Sequence, residues 1–470
     1  MGCPALKLVA LTSEFLFSMA KKCLFGLSLF LLMAASPLIA AKAFRSQTQA
    51  IVSDISVDHI AATQQKLEAF GTRNIYSATD DPVHGVGAAR EWIAAQFKSY
   101  SPRLQVSFDK HRVAKQGRAF KNVEIWNVVA VLPGTSEPER QVLVTGHYDT
   151  INMIVKKGAA GTRELDAEAT VAAVAPGVTD DGSGTAAVLE LARVMSQHQF
   201  RKTIVFIAFA AEEYGLFGSS LYAEDAAARH DQIEAVFNND IIGSNLTGNG
   251  ETGNRYVNVY SEEPNDSASR QAARYMKEMA ERYQPGFTVN LVFRHDRFGR
   301  GGDHSPFNAN GFAAVRITTP MENFSNQQTA TDTFANTAPA YTALVTKANA
   351  AAIASLALSP KPPDISTPPP TEGRAFASPL TRGGGYDAVM KWKNDQPEND
   401  LAGYAVVIRK TTSTDWEREI FVGNVDSYTL PNVNIDEVVV GVKAVDKDGD
   451  ESLVAAFVTP PYKQKKVETY

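Results

Sequence analysis

Cysteine is almost missing from this chain of 470 residues. The chain contains two cysteines, Cys3 and Cys23, and both fall in an N-terminal segment that we predict is removed. A mature chain without cysteine forms no disulfide, offers no thiolate ligand to a metal and has no cysteine nucleophile. Export to an oxidising compartment is still compatible with this, because a chain of this length can bury a core without cross-links.

An excess of positive charge is also missing. The formal net charge is -6, and the sequence shows no basic stripe and no repeated aromatic platform. This balance argues against nucleic acid or an anionic membrane as a main partner. The apolar share of 44% and the charged share of 21% are ordinary for a globular protein, and the length predicts more than one domain.

Residues 1–43 are predicted to be a signal peptide. Two lysines precede an apolar run at 23–35, and small residues follow it, an order that is typical of secretory signals. We expect cleavage near Ala41 or Ala43, a secreted or periplasmic location, and no stable membrane association afterwards. The alternative is an uncleaved membrane anchor, since apolar residues continue through Ala41.

A Pro-rich stretch at 359–370 (SPKPPDISTPPP) marks the main boundary of the chain, and such sequences are extended and semi-rigid. Before it, residues 44–358 alternate strand-like runs with helical patterns. That alternation predicts an α/β domain with a mostly parallel sheet flanked by helices. After it, short strand-like runs in 371–470 predict a small all-β sandwich, with Trp392 in its core.

Three short motifs bring together side chains that can hold metal ions: GHYDT at 146–150, APGVTDDGSG at 175–184 and AAEE at 210–213. Two divalent cations held close together need a bridging carboxylate and terminal ligands, and zinc accepts imidazole nitrogen and carboxylate oxygen. Most of the candidates directly follow strand-like runs, so they should gather at the carboxyl edge of the sheet. The candidate ligands are His147, Asp180, Glu213, Asp240 and His304.

Each motif taken singly has an ordinary structural interpretation. An HxD pair is more often a satisfied hydrogen-bonded pair, and DDGSG makes a good turn or helix N-cap. A Glu pair that opens a helix is favoured by the helix dipole, and a single histidine in a Gly-rich loop is more often structural. Only the joint order of the motifs along the chain favours a metal site.

The ordered combination of HxD, PGxxDDGSG, strand-EE, strand-D and GGDH resembles the secreted bacterial double-zinc aminopeptidases. These belong to a wider family of zinc-dependent exopeptidases with carboxypeptidase and glutaminyl cyclase branches, and the resemblance spans residues 51–358. It implies a site with two Zn²⁺, for which Co²⁺ or Mn²⁺ are possible substitutes. The implied assignment gives one metal to His147 and Asp240, the other to Glu213 and His304, and the bridge to Asp180.

The resemblance also implies two catalytic roles. Glu212 matches the general base that takes a proton from the attacking water and passes it to the leaving amine. Asp149 matches the carboxylate that orients the imidazole of His147. Neighbouring side chains point in different directions, so Glu213 can bind metal while Glu212 faces the substrate. The Asp180-Asp181 peptide bond is commonly cis in such proteins.

The chain departs from the family pattern in two places. An insertion at 153–174 (MIVKKGAAGTRELDAEATVAAV) is expected to form a loop or helix near the mouth of the site and to narrow substrate access. At 326–332 (NQQTATD), Gln328 stands where related enzymes often carry a histidine, ahead of Thr329 and Asp332. We expect this change to alter substrate contacts and to leave metal binding intact.

The function implied by the resemblance is a secreted metalloaminopeptidase that acts on peptides with a free N-terminus. Carboxypeptidase, glutaminyl cyclase and a non-catalytic binding or receptor-like protein are the alternatives on this scaffold. For a carboxypeptidase, Arg294, Arg297 and Arg300 would be available to a substrate carboxylate, although a solvated loop is the more expected interpretation. The complete ligand set argues against the cyclase and the receptor-like protein. The C-terminal sequence resembles a fibronectin type III domain.

Overall fold

The computed structural model of the protein describes residues 47–158, 161–365, 380–385, 387–393 and 400–458. The predicted signal peptide and its cleavage site lie outside these residues. The α-helices are α1 (Gln47–Ser53), α2 (Val57–Ala69), α3 (Gly85–Tyr100), α4 (Ala167–Ala172), α5 (Gly182–Met195), α6 (Phe217–Arg229), α7 (Ala268–Tyr283), α8 (His304–Ala309) and α9 (Pro339–Leu358).

The β-strands of the N-terminal part are β1 (Gln105–Val113), β2 (Val123–Leu132), β3 (Glu137–His147), β4 (Val155–Lys157), β5 (Arg163–Leu165), β6 (Lys202–Phe209), β7 (Gln232–Asn239), β8 (Tyr256–Ser261), β9 (Thr288–Val292) and β10 (Ala314–Thr318). Those of the C-terminal part are β11 (Leu380–Arg382), β12 (Ala388–Lys391), β13 (Leu401–Lys410), β14 (Arg418–Gly423), β15 (Ser427–Leu430), β16 (Val438–Asp446) and β17 (Ala455–Ala456).

Eight strands form the main sheet, in the order β1-β2-β6-β3-β7-β10-β8-β9. Its centre, β6-β3-β7-β10, is parallel, whereas β1, β2 and β8 join by antiparallel pairing and β9 runs parallel to β8. Every residue of β6 is buried, as expected for a strand covered on both faces. The predicted α/β fold with a large, mostly parallel sheet is therefore confirmed, with antiparallel strands added towards its edges.

Helices cover both faces of this sheet. Because side chains alternate along a strand, Val142 and Val144 of β3 lie in the larger core, which also contains residues of α2, α3, α5, α7 and α9. Leu143 lies in a second core with residues of α6 and α8. Helix α9 is long and apolar enough to cross a membrane by length and composition, but most of it is buried in the larger core. The central strands are thus held firmly from both sides.

The C-terminal strands form two small sheets, β14-β13-β16-β17 and β11-β12-β15. The predicted strand-like runs in this part coincide with β12, β13, β14 and β16. Trp392 is buried as predicted, and its ring centroid lies 5.4 Å from that of Tyr404 in a core separate from those of the main sheet. The domain boundaries and the likeness to fibronectin type III remain predictions.

The C-terminal sheets pack directly on α7. Arg274 Nε donates a hydrogen bond to the carbonyl of Thr414 over 2.6 Å. Lys443 of β16, whose side chain is 2% exposed, lies 3.2 Å from Glu278 of α7 and 2.6 Å from Glu451. The Pro-rich stretch was expected to be an extended spacer, yet the parts on its two sides are in contact.

Candidate metal centre

The predicted ligands are delivered by neighbouring parallel strands. His147 is the last residue of β3, and Asp240 directly follows β7. Glu212 and Glu213 lie in the turn that follows β6. Since β6, β3 and β7 are adjacent and parallel, their carboxyl ends share one edge of the sheet.

The loop that carries Asp180 reaches the same edge, and Asp181 caps the first turn of α5. The Asp180-Asp181 peptide bond is cis, as expected. The carboxylate of Asp181 accepts hydrogen bonds from the main-chain N–H groups of His147 (3.1 Å), Gly184 (2.8 Å) and Ile241 (3.1 Å). One buried carboxylate therefore connects three of the segments that form the site.

His147 lies at the centre of a carboxylate cluster. Its Nε2 atom is 3.4 Å from Asp180 Oδ1 and 3.9 Å from both Glu212 Oε2 and Asp240 Oδ1. One ligand atom from each of His147, Glu212 and Asp240 lies within 4.8 Å of the other two. These separations leave room for a cation between the side chains.

His147 and Asp240 each have one atom held by the protein and one atom left without a partner. His147 Nδ1 lies 3.1 Å from the carbonyl oxygen of Asp149, and Asp240 Oδ2 lies 2.6 Å from a guanidinium nitrogen of Arg316. His147 Nε2 and Asp240 Oδ1 are buried with no hydrogen-bond partner among the described residues. Buried polar atoms without partners are costly. This donor set therefore fits a divalent cation such as zinc.

Glu213 also has one carboxylate oxygen held by a protein donor, which is Gln328. The amide Nε2 of Gln328 donates to Glu213 Oε2 over 2.7 Å, and Glu213 Oε1 is buried without a partner in the described part of the chain. Gln328 has a φ of 54°, a left-handed conformation that is uncommon outside glycine. We expected Gln328 to alter substrate contacts alone, but its amide contacts a predicted metal ligand directly.

His304 is the first residue of α8, and its ring lies next to Asp296, which also lies close to Arg316. Its Nε2 atom lies 3.0 Å from the carbonyl of His295 and 3.7 Å from Asp296 Oδ2, and its Nδ1 atom is buried without a partner among the described residues. A side-chain carbon on Gly302 would lie 3.3 Å from both Asp240 Oδ2 and His304 Nδ1. His304 therefore offers a free nitrogen, while its pairing with Glu213 remains a prediction of the resemblance.

Asp149 contributes more than the orientation of one imidazole. Its carbonyl oxygen contacts His147 Nδ1, while its carboxylate Oδ1 is 3.6 Å from that nitrogen. The carboxylate also accepts the main-chain N–H groups of Glu212 (3.1 Å) and Glu213 (3.3 Å). Asp149 thus fixes both the imidazole of β3 and the glutamate pair after β6.

Three charged residues of the centre were not singled out from the sequence. Arg316 of β10 is fully buried between Asp240 and Asp296, with Asp296 Oδ2 at 3.6 Å. Asp303 has both carboxylate oxygens buried without a partner among the described residues, and burial raises its pKa to about 7. Two features of the sequence could have pointed to these residues. Arg316 is a charged residue inside the apolar run AVRIT, and Asp303 is the acid beside His304 in GGDH.

The pKa values of the two histidines are shifted in opposite directions. Burial lowers the pKa of His304 to about 4, and the nearby charge of Arg316 acts in the same direction. For His147 burial also opposes protonation, but the surrounding carboxylates, led by Glu212, outweigh it and hold its pKa well above the ordinary value. Burial raises the pKa of the Glu212 carboxyl, and the carboxylate of Asp240 adds to this increase.

The centre opens into a cavity of about 830 Å³, whose lining includes Asp180, Glu212, Glu213 and Asp240. Met153, the first residue of the insertion, also lines it. The described part of the insertion forms the β4-β5 hairpin and the short helix α4. The expectation that the insertion lies near the mouth of the site is confirmed in the position of Met153.

Of the three arginines before His304, Arg294 and Arg300 are exposed, as expected for a solvated loop, whereas Arg297 is largely buried. Arg297, whose side chain is 11% exposed, pairs with Asp296 at 2.9 Å and with Glu322 at 3.2 Å. Arg300 pairs with the same Glu322 at 2.7 Å. Arg294 is exposed and does not line the cavity. Arg297 and Arg300, which both line the cavity, are therefore already neutralised by internal ion pairs.

Fold and site together define an α/β protein with a buried cation-binding centre at the carboxyl edge of its sheet, of the metallohydrolase class. The sequence profile of peptidase family M28 matches residues 127–353. A probable zinc metalloprotease of Leptosphaeria maculans is 33% identical over 437 residues, which cover 86% of this chain and 95% of the relative. The chain belongs to peptidase family M28.

A second relative carries the same description. A probable zinc metalloprotease of Pyricularia oryzae is 34% identical over 453 residues, which cover 88% of this chain and 85% of the relative. Among solved structures, LapB from Legionella pneumophila is similar with a TM-score of 0.50 and 20% sequence identity, over 67% of this chain and 76% of LapB. At that identity the likeness concerns the fold.

Proposed function

We propose that this protein is a zinc-dependent aminopeptidase with a two-metal site, exported through its signal peptide and carrying a fibronectin type III-like sandwich at its C-terminus. The observation that carries the proposal is the set of buried atoms without a hydrogen-bond partner in the candidate metal centre. His147 Nε2, Asp240 Oδ1, Glu213 Oε1 and His304 Nδ1 have no hydrogen-bond partner among the described residues. With Asp180 as the bridge, they supply enough ligands for two zinc ions and leave positions for water and substrate.

Bound zinc would polarise the scissile carbonyl and lower the pKa of the attacking water. Glu212 is the proton carrier in this scheme. Its carboxyl lies on the cavity, and burial raises its pKa above the ordinary value, the direction that favours a general base. Glu212 takes the proton from the attacking water and delivers it to the leaving amine, while Asp149 holds its main chain in place.

The proposed base is tested with Glu212→Gln, which keeps the size of the side chain and removes its proton-carrying carboxylate. We expect zinc content equal to the wild type by elemental analysis and a loss of turnover of about a hundredfold or more. Full activity in this variant would exclude Glu212 as the base.

The direction of attack is tested with a matched pair of peptides, one with a free N-terminus and one acetylated, analysed by mass spectrometry with and without a chelator. Loss of single residues from the free peptide alone, abolished by the chelator, supports the aminopeptidase. Shortening of both peptides from the C-terminus would make the protein a carboxypeptidase. No cleavage of either peptide by metal-loaded protein would favour the cyclase or a binding function.

A further inference from the structure

Arg118 differs from the other arginines that line the cavity. Arg297 and Arg300 both pair with Glu322, and Arg316 pairs with a predicted metal ligand. Arg118 has no carboxylate at ion-pair distance within the part of the chain that the structure describes. It is therefore an exposed cation that pairs with no side-chain carboxylate of the described residues.

The position of Arg118 is nevertheless fixed. It lies on the connection between β1 and β2, where Gln116, Gly117 and Arg118 line the cavity. A guanidinium nitrogen, Nη1, donates to the main-chain carbonyl of Glu213 over 2.8 Å. A guanidinium carries five N–H donors, so one bond anchors the group while others stay available to a molecule in the cavity.

We propose that Arg118 binds a substrate carboxylate on the leaving-group side of the scissile bond, so that the site selects peptides with a negative charge there. This rests on the proposed aminopeptidase function. The floor, with Asp180, Glu213 and Asp240 as proposed zinc ligands and Glu212 as the proposed base, is where the scissile bond would lie, and Arg118 lines the same cavity. Arg118 is anchored to the residue after the proposed base, which protonates the departing amine, and a guanidinium fork matches a carboxylate in geometry and charge.

The carboxylate has two possible sources, the free C-terminus of a short peptide and an acidic side chain. Three substrates distinguish them: leucyl-alanine, its C-terminal amide, and leucyl-glutamate with an amidated C-terminus. The readout is the ratio of kcat/KM between a carboxylate-bearing substrate and leucyl-alanine amide, determined separately for each variant. General damage to the enzyme cancels in this ratio, whereas loss of a carboxylate contact does not.

We expect the wild type to prefer at least one carboxylate-bearing substrate over the amide. Arg118→Gln should reduce that preference about tenfold, the lower end for a hydrogen bond to a charged group, and the change should lie in KM. Arg300→Gln is the matched control, because its guanidinium is already paired with Glu322, and its ratio should match the wild type. An unchanged ratio in Arg118→Gln, or a loss in Arg300→Gln alone, would overturn the proposal.

Failure of the proposed function gives a different result. If the wild type hydrolyses none of the three substrates, the aminopeptidase assignment falls. Calorimetric titration of leucyl-alanine and its amide into wild-type protein and Arg118→Gln then tests the carboxylate contact on its own. An affinity for leucyl-alanine reduced about tenfold in the variant supports the contact, and equal affinities refute it.

Discussion

Arg73 is expected to hold the two loops of the metal centre together. It is fully buried, and no carboxylate among the described residues forms an ion pair with it. Its guanidinium instead donates to four main-chain carbonyls, those of Tyr148 (2.8 Å), Leu67 (2.8 Å), Pro176 (2.7 Å) and Gly177 (2.8 Å). The first belongs to the HxD loop and the last two to the loop of Asp180, so one side chain connects both.

The magnitude follows from the four bonds. Arg73→Met removes all four donors, and a hydrogen bond contributes about 1 kcal/mol net, which gives about 4 kcal/mol in total. Part of this loss is offset, because the variant no longer buries a cation. In the wild type, burial of the guanidinium is unfavourable and lowers the pKa of Arg73 to about 10. The variant also leaves four carbonyls without these donors, which adds to the loss. We therefore expect a loss of at least about 2 kcal/mol in the free energy of unfolding.

Urea unfolding of metal-free protein measures this loss without the stabilisation that bound zinc adds, and chelator competition measures zinc affinity separately. Arg73→Met should lose both stability and zinc affinity. Arg103→Met is the matched control, because Arg103 also donates to main-chain carbonyls, those of Ser196 and His198, and its zinc affinity should be unchanged. A change in Arg73→Met below about 0.5 kcal/mol, the ordinary range for surface substitutions, with wild-type zinc affinity would refute the reasoning.

Three further outcomes are expected from the same contacts. Gln328→Met, which keeps the length of the side chain but not the donor to Glu213, should weaken zinc binding about tenfold in chelator competition; unchanged affinity would count against the contact. Zinc should bind metal-free protein more tightly as pH rises and should release protons on binding, because the pKa values of His147 and Glu213 are raised and zinc displaces protons from its ligands; a titration without proton release would contradict this. Lys443→Met should cost about 1 kcal/mol in urea unfolding, since it removes one of the two cations that pair with Glu278 and Glu451 while Arg282 remains; a neutral result would show that the contact contributes little.

Much of the fold was predictable because it depends on local patterns. The apolar runs that became β3, β6, β7 and β10 are bounded by polar motifs, and the run of β6 (TIVFIAFA) is long enough to cross a buried sheet. The edge strand β1 and its neighbour β2 were not predicted, and β1 alternates largely between exposed and half-buried residues, which gives a weaker signal. The positions of the ligands at the sheet edge could be predicted from the strands, because residues at the carboxyl ends of adjacent parallel strands lie at one edge of the sheet.

The side-chain contacts inside the centre were not predictable, since they join distant segments. Gln328 reaches Glu213 across 115 positions of sequence, and its role as a contact to a ligand depends on a loop conformation with a positive φ. Arg316 lies between apolar residues of its own strand, and its partner Asp240 follows a different strand. No local pattern links such pairs, so the sequence indicated candidate ligands but not how each of them is held.

The way the ligands are held decides what the centre binds. Asp240 and Glu213 each have one oxygen tied to a protein donor and one buried without a partner among the described residues, so each presents a single oxygen to a cation. Without a cation, burial and neighbouring carboxylates raise the pKa of Glu213, and protons take the place of metal charge. Zinc and protons therefore compete for the same oxygens, and acidification should empty the site before it unfolds the protein.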